Sequence, residues 1–188
     1  KVTDVNAVVT ADMIGADGLM LRSGNDAAVA IAEYISGDVD SFAALMNQEA
    51  AAMGATRSHF VNPNGLPDEN HYTCVYDMYL IFSNAIKNDT FVSIIGTTSY
   101  DVTYTDASGE AVTHTWENTN QYLTGNATTP DGFQIVGGKT GTTGEAGYCL
   151  VLYSYNPSGQ PIISIVFKAD GKSNLYLLMN EMLQGFAI

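Results

Sequence analysis

A lysine set among glycines, directly ahead of an apolar run, constrains this chain more than any other feature. The run reads Val136-Gly137-Gly138-Lys139-Thr140-Gly141-Thr142-Thr143-Gly144-Glu145-Ala146-Gly147-Tyr148-Cys149-Leu150-Val151-Leu152. A strand with glycines at these positions can press its backbone against a ligand, because no side chain blocks close approach. The lysine adds a positive charge and the threonines add hydroxyl donors. That combination suits an anionic, peptide-like ligand. It does not suit a nucleotide, because the Gly-x-x-x-x-Gly-Lys-Ser/Thr spacing of a phosphate loop is missing.

Composition narrows the class. With 188 residues, 46% of them hydrophobic and 14% charged, the chain can bury a sizeable core, and we read 1–188 as one domain. No apolar run is long enough to span a membrane. A formal net charge of -13, from 20 acidic and 7 basic side chains, opposes a nucleic-acid partner and makes the lysine among the glycines more conspicuous. Cys74 and Cys149 form neither a metal-ligand spacing nor a disulfide framework, and read as buried or half-buried thiols. His59, His71 and His114 are scattered without metal spacing, so loop or surface roles are expected and no metal site is implied. Trp116 reads as core or as the wall of a cleft.

Periodicity places helices first and strands later. Helices are expected at 13–21, 25–35 and 41–53, the second with Asp26 in its first turn. The third should turn Phe42, Leu45, Met46 and Glu49 inward, with Gly54 as its stop. The proline- and glycine-broken stretch 62–71 reads as a loop, and a further helix follows at 75–87. Strands are expected at 100–104 and 112–116 around a turn at Asp106-Ala107-Ser108-Gly109, then at 135–139, 148–155 and 162–167. An amphipathic helix at 173–184 closes the chain. The pattern implies an α+β domain, an antiparallel sheet covered by helices.

The lysine run has an upstream partner in Ser23-Gly24-Asn25. Taken alone, a Ser-Gly-Asn before a helix reads as a cap or turn, and Gly-Gly-Lys-Thr-Gly as a turn. In this order, however, they match the second and third elements of the series Ser-x-x-Lys, Ser-x-Asn, Lys-Thr-Gly. The surroundings agree: Phe60-Val61-Asn62-Pro63-Asn64-Gly65-Leu66-Pro67-Asp68-Glu69-Asn70-His71-Tyr72, then Tyr76-Asp77-Met78, then Asn118-Thr119-Asn120-Gln121-Tyr122-Leu123. On these runs the chain, from about Gly18 to Phe186, closely resembles the D-alanyl-D-alanine carboxypeptidases, the low-molecular-weight penicillin-binding proteins of the S11 serine peptidases.

The resemblance implies a β-lactamase/transpeptidase-like fold, with the lysine motif on an inner strand facing the cleft and Ser23-Gly24-Asn25 on the helical side. It assigns catalytic roles to Ser23, Asn25 and Lys139 and substrate contacts to Thr140, Gly141 and Thr142. Ser23 relays protons to the leaving nitrogen, Asn25 holds the peptide carbonyl or the lysine of the first motif, and Lys139 gives electrostatic support. Thr140 and Thr142 bond the substrate carboxylate, and the Thr142 N–H is one oxyanion donor. Relatives place an arginine after the last strand to grip that carboxylate; Lys168 and Lys172 follow it here, offering charge without bidentate geometry.

No serine in the sequence is followed three positions later by lysine. The expectation is therefore a C-terminal part of a longer enzyme, inactive alone, with strands and nucleophile helix preceding Lys1 and a sheet edge open to self-association. The implied activity of the parent is removal of the terminal D-alanine from peptidoglycan stem peptides outside the cytoplasmic membrane, through an acyl-enzyme that β-lactams block, with no metal or organic cofactor. The alternative is a non-catalytic module that binds wall peptides or a protein partner. A β-lactamase of the same fold fits less well, because the 62–72 and 118–120 runs look like carboxypeptidase.

Overall fold

The computed structural model describes residues 11–105 and 108–187. In chain order these form α1 (Ala11–Arg22), α2 (Asn25–Ser36), α3 (Val39–Ala52), α4 (Val75–Ala85), α5 (Asp89–Ile95), β1 (Ser99–Thr105), β2 (Ala111–Glu117), β3 (Gln134–Thr143), β4 (Gly147–Tyr155), β5 (Pro161–Ala169) and α6 (Lys172–Gly185). Every helix and strand expected from periodicity is present with only its ends moved. Helix α3 starts two residues early because the Asp38 side chain accepts the Ser41 amide at 2.7 Å, a capping bond that satisfies a free helix N–H. Its inward face is rotated from the expected one: Ala43 and Ala50 are buried, Phe42, Leu45 and Met46 are half-buried, and Glu49 is exposed. Asn47 explains the rotation, since it exchanges bonds with the Phe60 carbonyl (2.7 Å) and amide (2.8 Å) and so must face the loop.

Helix α5 has no counterpart in the periodicity. Its Asn88 cap accepts the amides of Thr90 and Phe91. Its β-branched Thr90, Val92, Ile94 and Ile95 read locally as strand formers.

The strands make two antiparallel sheets rather than one, the hairpin β1-β2 and a separate sheet of order β3-β4-β5. Asp106 and Ala107 of the expected hairpin turn lie outside the described residues. Among the described residues the lysine-bearing strand is thus an edge strand of its sheet, not an inner one. A strand that receives a ligand through its backbone must keep one side unpaired.

Both faces of the β3-β4-β5 sheet are covered, so its centre is a continuous apolar run rather than an alternation. On one face Leu150, Leu152 and Val166 pack with Leu175, Met179 and Leu183 of α6 and with Tyr122 and Phe133. On the other, Val151 and Ile165 pack with Phe82 of α4 and Ile95 of α5. The glycines of β3 are what let α5 dock: a Cβ on Gly137 would lie 2.5 Å from the Ile95 carbonyl oxygen, and one on Gly96 2.7 Å from that of Val136. A Cβ on Gly138 would collide with the Val151 carbonyl of β4.

Candidate active site

Helix α1 ends at Arg22, and Ser23 takes the left-handed conformation, φ 57°, that turns the chain into α2. This strains a residue with a Cβ, by on the order of 1 kcal/mol. The turn is held from behind, because the Gly24 amide donates to the Gly18 carbonyl at 3.0 Å. The Trp116 ring lies directly on Gly18, where a Cβ would come within 3.2 Å of it, so Trp116 walls the α1 end that carries Ser23. The serine hydroxyl is left exposed at the junction of the two helices.

Lys139 reaches this hydroxyl from the sheet. It is paired in register with Val151 and so stands on the face that α4 and α5 cover. Its Nζ donates to Ser23 Oγ at 2.7 Å and to the Thr140 carbonyl at 2.6 Å. Among the described residues no carboxylate pairs with it; the ion pair present is Arg57 with Asp77. Burial without a counter-charge pushes the Lys139 ammonium down to about 8, close enough to neutrality for it to give or take a proton.

Thr140 lies opposite Leu150, with its hydroxyl 2.6 Å from that of Thr119. Thr119 in turn donates its amide to the carbonyl of Leu21, at the same end of α1. Its neighbours fix it. The buried Asn118 donates its side-chain amide to the Thr97 carbonyl and accepts the Asn120 amide, and the fully buried Asn120 accepts the amide of Tyr122. Sequence reasoning assigned Thr119 no role, although the Asn-Thr-Asn run was the visible signal.

Asn25 opens α2, while Gly24 is the cap residue and makes no side-chain cap bond. Asn25, Gly141 and Thr142 are exposed, and neither polar side chain makes a hydrogen bond among the described residues. Gly141 is the glycine of β3 that faces open space: a Cβ there would touch only the Cys149 Cβ, at 3.9 Å. The glycines therefore divide, Gly137 and Gly138 serving close packing and Gly141 leaving room beside the lysine.

Lys168 sits on a β-bulge, where Phe167 and Lys168 together oppose Cys149, and it is the other non-glycine residue at positive φ, 60°, among the described residues. Its amide points at the Cys149 sulfur, 3.5 Å away, and its side chain is exposed. Lys172 opens α6. Neither ammonium bonds to Thr140 or Thr142 among the described residues. Cys74, the cap residue of α4, and Cys149, on β4, are free half-buried thiols. The histidines stand apart from the Lys139 site: His59 meets the Asn70 carbonyl, His71 accepts the Val61 amide, and His114 stacks on Tyr104.

Helices packed over an antiparallel sheet, with a Ser-x-Asn turn meeting a Lys-Thr-Gly edge strand, define the β-lactamase/transpeptidase-like class. Solved structures agree. A variant of the DD-transpeptidase of Streptomyces K15 superposes with a TM-score of 0.81 at 31% identity, covering 92% of this chain and 66% of that one. The D-alanyl-D-alanine carboxypeptidase DacD of Francisella tularensis gives 0.77 at 26%, covering 90% and 50%. The D-alanyl-D-alanine carboxypeptidase family model matches residues 2–171, and the chain belongs to that family. Among its curated relatives, DacF of Bacillus subtilis is 35% identical over 167 residues, and the carboxypeptidase of Streptomyces sp. K15 is 34% identical over 182. The alignments cover 88% and 91% of this chain but only 40% and 59% of those two proteins. No helix among the described residues is long and apolar enough to cross a membrane.

Proposed function

We propose that the protein to which this chain belongs is a serine D-alanyl-D-alanine carboxypeptidase that trims the terminal D-alanine from peptidoglycan stem peptides, outside the cytoplasmic membrane. The observation that carries this reading is the 2.7 Å bond between Lys139 Nζ and Ser23 Oγ, which joins two motifs far apart in sequence. The attacking serine is proposed to belong to a Ser-x-x-Lys segment outside these 188 residues, since none occurs within them. Its oxygen bonds to the carbonyl carbon of the penultimate D-alanine, and the peptide C–N bond breaks. The leaving nitrogen then needs a proton. In this reading Ser23 donates its own and is resupplied by Lys139, an exchange supported by their 2.7 Å bond and by the lowered proton affinity of the lysine.

The departing D-alanine carries a carboxylate. The Lys139 charge and the hydroxyls of Thr140 and Thr142 form a cationic, donor-rich edge for it in a chain that is otherwise acidic. In this reading Asn25 holds the substrate carbonyl, the Thr142 amide is one oxyanion donor, and the open side of β3 takes the extended stem peptide as an added strand. A β-lactam follows the same acylation and stays attached.

Release of D-alanine from diacetyl-lysyl-D-alanyl-D-alanine tests the proposal. The expected result is D-alanine production that benzylpenicillin abolishes, with loss of at least roughly 100-fold in Ser23→Ala and Lys139→Ala. Production unaffected by either substitution overturns the assigned roles, and no production at all overturns the activity. Product analysis with an added amine shows whether water or an amine takes the acyl group.

A further inference from the structure

We infer that Thr119 is a positioning residue for substrate recognition, acting through Thr140; the inference rests on the function proposed above. The two hydroxyl oxygens are 2.6 Å apart, so one of the two protons lies between them and the other is free for a ligand. When an anion occupies the edge of β3, the favoured arrangement is Thr119 donating to Thr140 and Thr140 donating to the anion. A hydroxyl that accepts one bond is polarised to give a stronger one.

Thr119 is held for this task. Its amide bonds to Leu21 at the end of α1, one residue from the Arg22-Ser23 turn. Its flanking asparagines are buried, Asn118 bonded through both side-chain atoms and Asn120 through its side-chain oxygen alone, and Gln121 beyond them donates its amide to the Tyr176 hydroxyl at 2.7 Å. The segment thus joins the Ser23 turn and the Thr140 hydroxyl through Thr119, and helix α6 through Gln121.

The test uses the protein as its gene encodes it, with Thr119→Val and Thr119→Ser variants matched for melting temperature. The probes are diacetyl-lysyl-D-alanyl-D-alanine as the free acid and as the C-terminal amide. For the acid, Thr119→Val is expected to raise KM roughly tenfold with kcat within about twofold, and Thr119→Ser to restore it. The amide should bind wild type and Thr119→Val alike.

An unchanged KM for the acid, an equal loss on acid and amide, or a failure of serine to restore KM would overturn the inference. Should wild type release no D-alanine, the function proposed above fails by itself. Calorimetric binding of acid and amide then decides the inference: a preference for the acid that Thr119→Val abolishes sustains it, and absence of such a preference overturns it.

Discussion

The Lys139 ammonium and the Ser23 hydroxyl, 2.7 Å apart, join the edge strand β3 to the turn between α1 and α2. Each side is shaped for the contact. Ser23 accepts a left-handed backbone, and Lys139 accepts burial without a carboxylate partner. Two unfavourable local choices meeting at one hydrogen bond are what the proposed acyl-transfer role of this pair accounts for.

The lysine should therefore cost stability in a pH-dependent way. Burial lowers its proton affinity from 10.5 to about 8, so between those values the unfolded chain holds a proton that the folded chain has released. Stability must rise with pH across that window, and below about 8 the full cost of burying the charge is present. Relative to Lys139→Met, wild type should gain on the order of 3 kcal/mol between pH 7 and 10.5. Denaturant melts of both proteins at a series of pH values measure this; parallel curves would mean the ammonium is not desolvated.

Gly137 and Gly141 should respond oppositely to the same substitution. A Cβ at Gly137 meets the Ile95 carbonyl oxygen at 2.5 Å, with backbone on both sides unable to yield. Gly137→Ala is expected to lose roughly 3 kcal/mol or more by forcing α5 off the sheet. Gly141→Ala meets only a Cβ at 3.9 Å and should fold normally while weakening binding of the stem-peptide mimic. Thermal melts and ligand titrations separate the two; equal melting losses would show that both glycines serve packing.

Asp77 should govern the acid stability of the 54–73 loop. Burial works to raise its carboxyl, but bonds from the Ser58 hydroxyl, the Arg57 amide and Cys74, with the Arg57 charge, outweigh it and hold the group below the usual carboxylate range. A depressed folded value adds stability above the ordinary carboxylate range, and that stability is lost as pH falls through the folded value. Asp77→Asn should thus be destabilising at pH 7 and approach wild type in acid. Amide exchange at Arg57, whose N–H donates to the carboxylate, would follow it, and protection unchanged by the substitution would refute the role.

The family and the long elements were legible in the sequence, for a physical reason: the motif runs carry the family in residue type and order, and the amphipathic segments carry their period. What was not legible depended on partners far along the chain. Helix α5 is short and β-branched, and it is stabilised by its Asn88 cap and by docking Ile95 on the sheet beside Gly137 rather than by helix propensity. The wheel of α3 pointed Glu49 inward because nothing local reveals that Asn47 must bond Phe60. Gly137 and Gly138 resembled ligand-facing glycines until α5 and β4 occupied the space beside them. Thr119 was visible only as part of a run, because its meaning comes from a hydroxyl 21 positions away.

The most direct test of the central claim is the intact mass of the protein as its gene encodes it, before and after benzylpenicillin. The account expects one covalent benzylpenicillin adduct per molecule, formed more slowly in Lys139→Ala and Ser23→Ala. A protein whose mass does not change, at concentrations that saturate D-alanine-releasing relatives, would contradict a serine acyl-transfer function and leave the site as one that binds wall peptides without reacting.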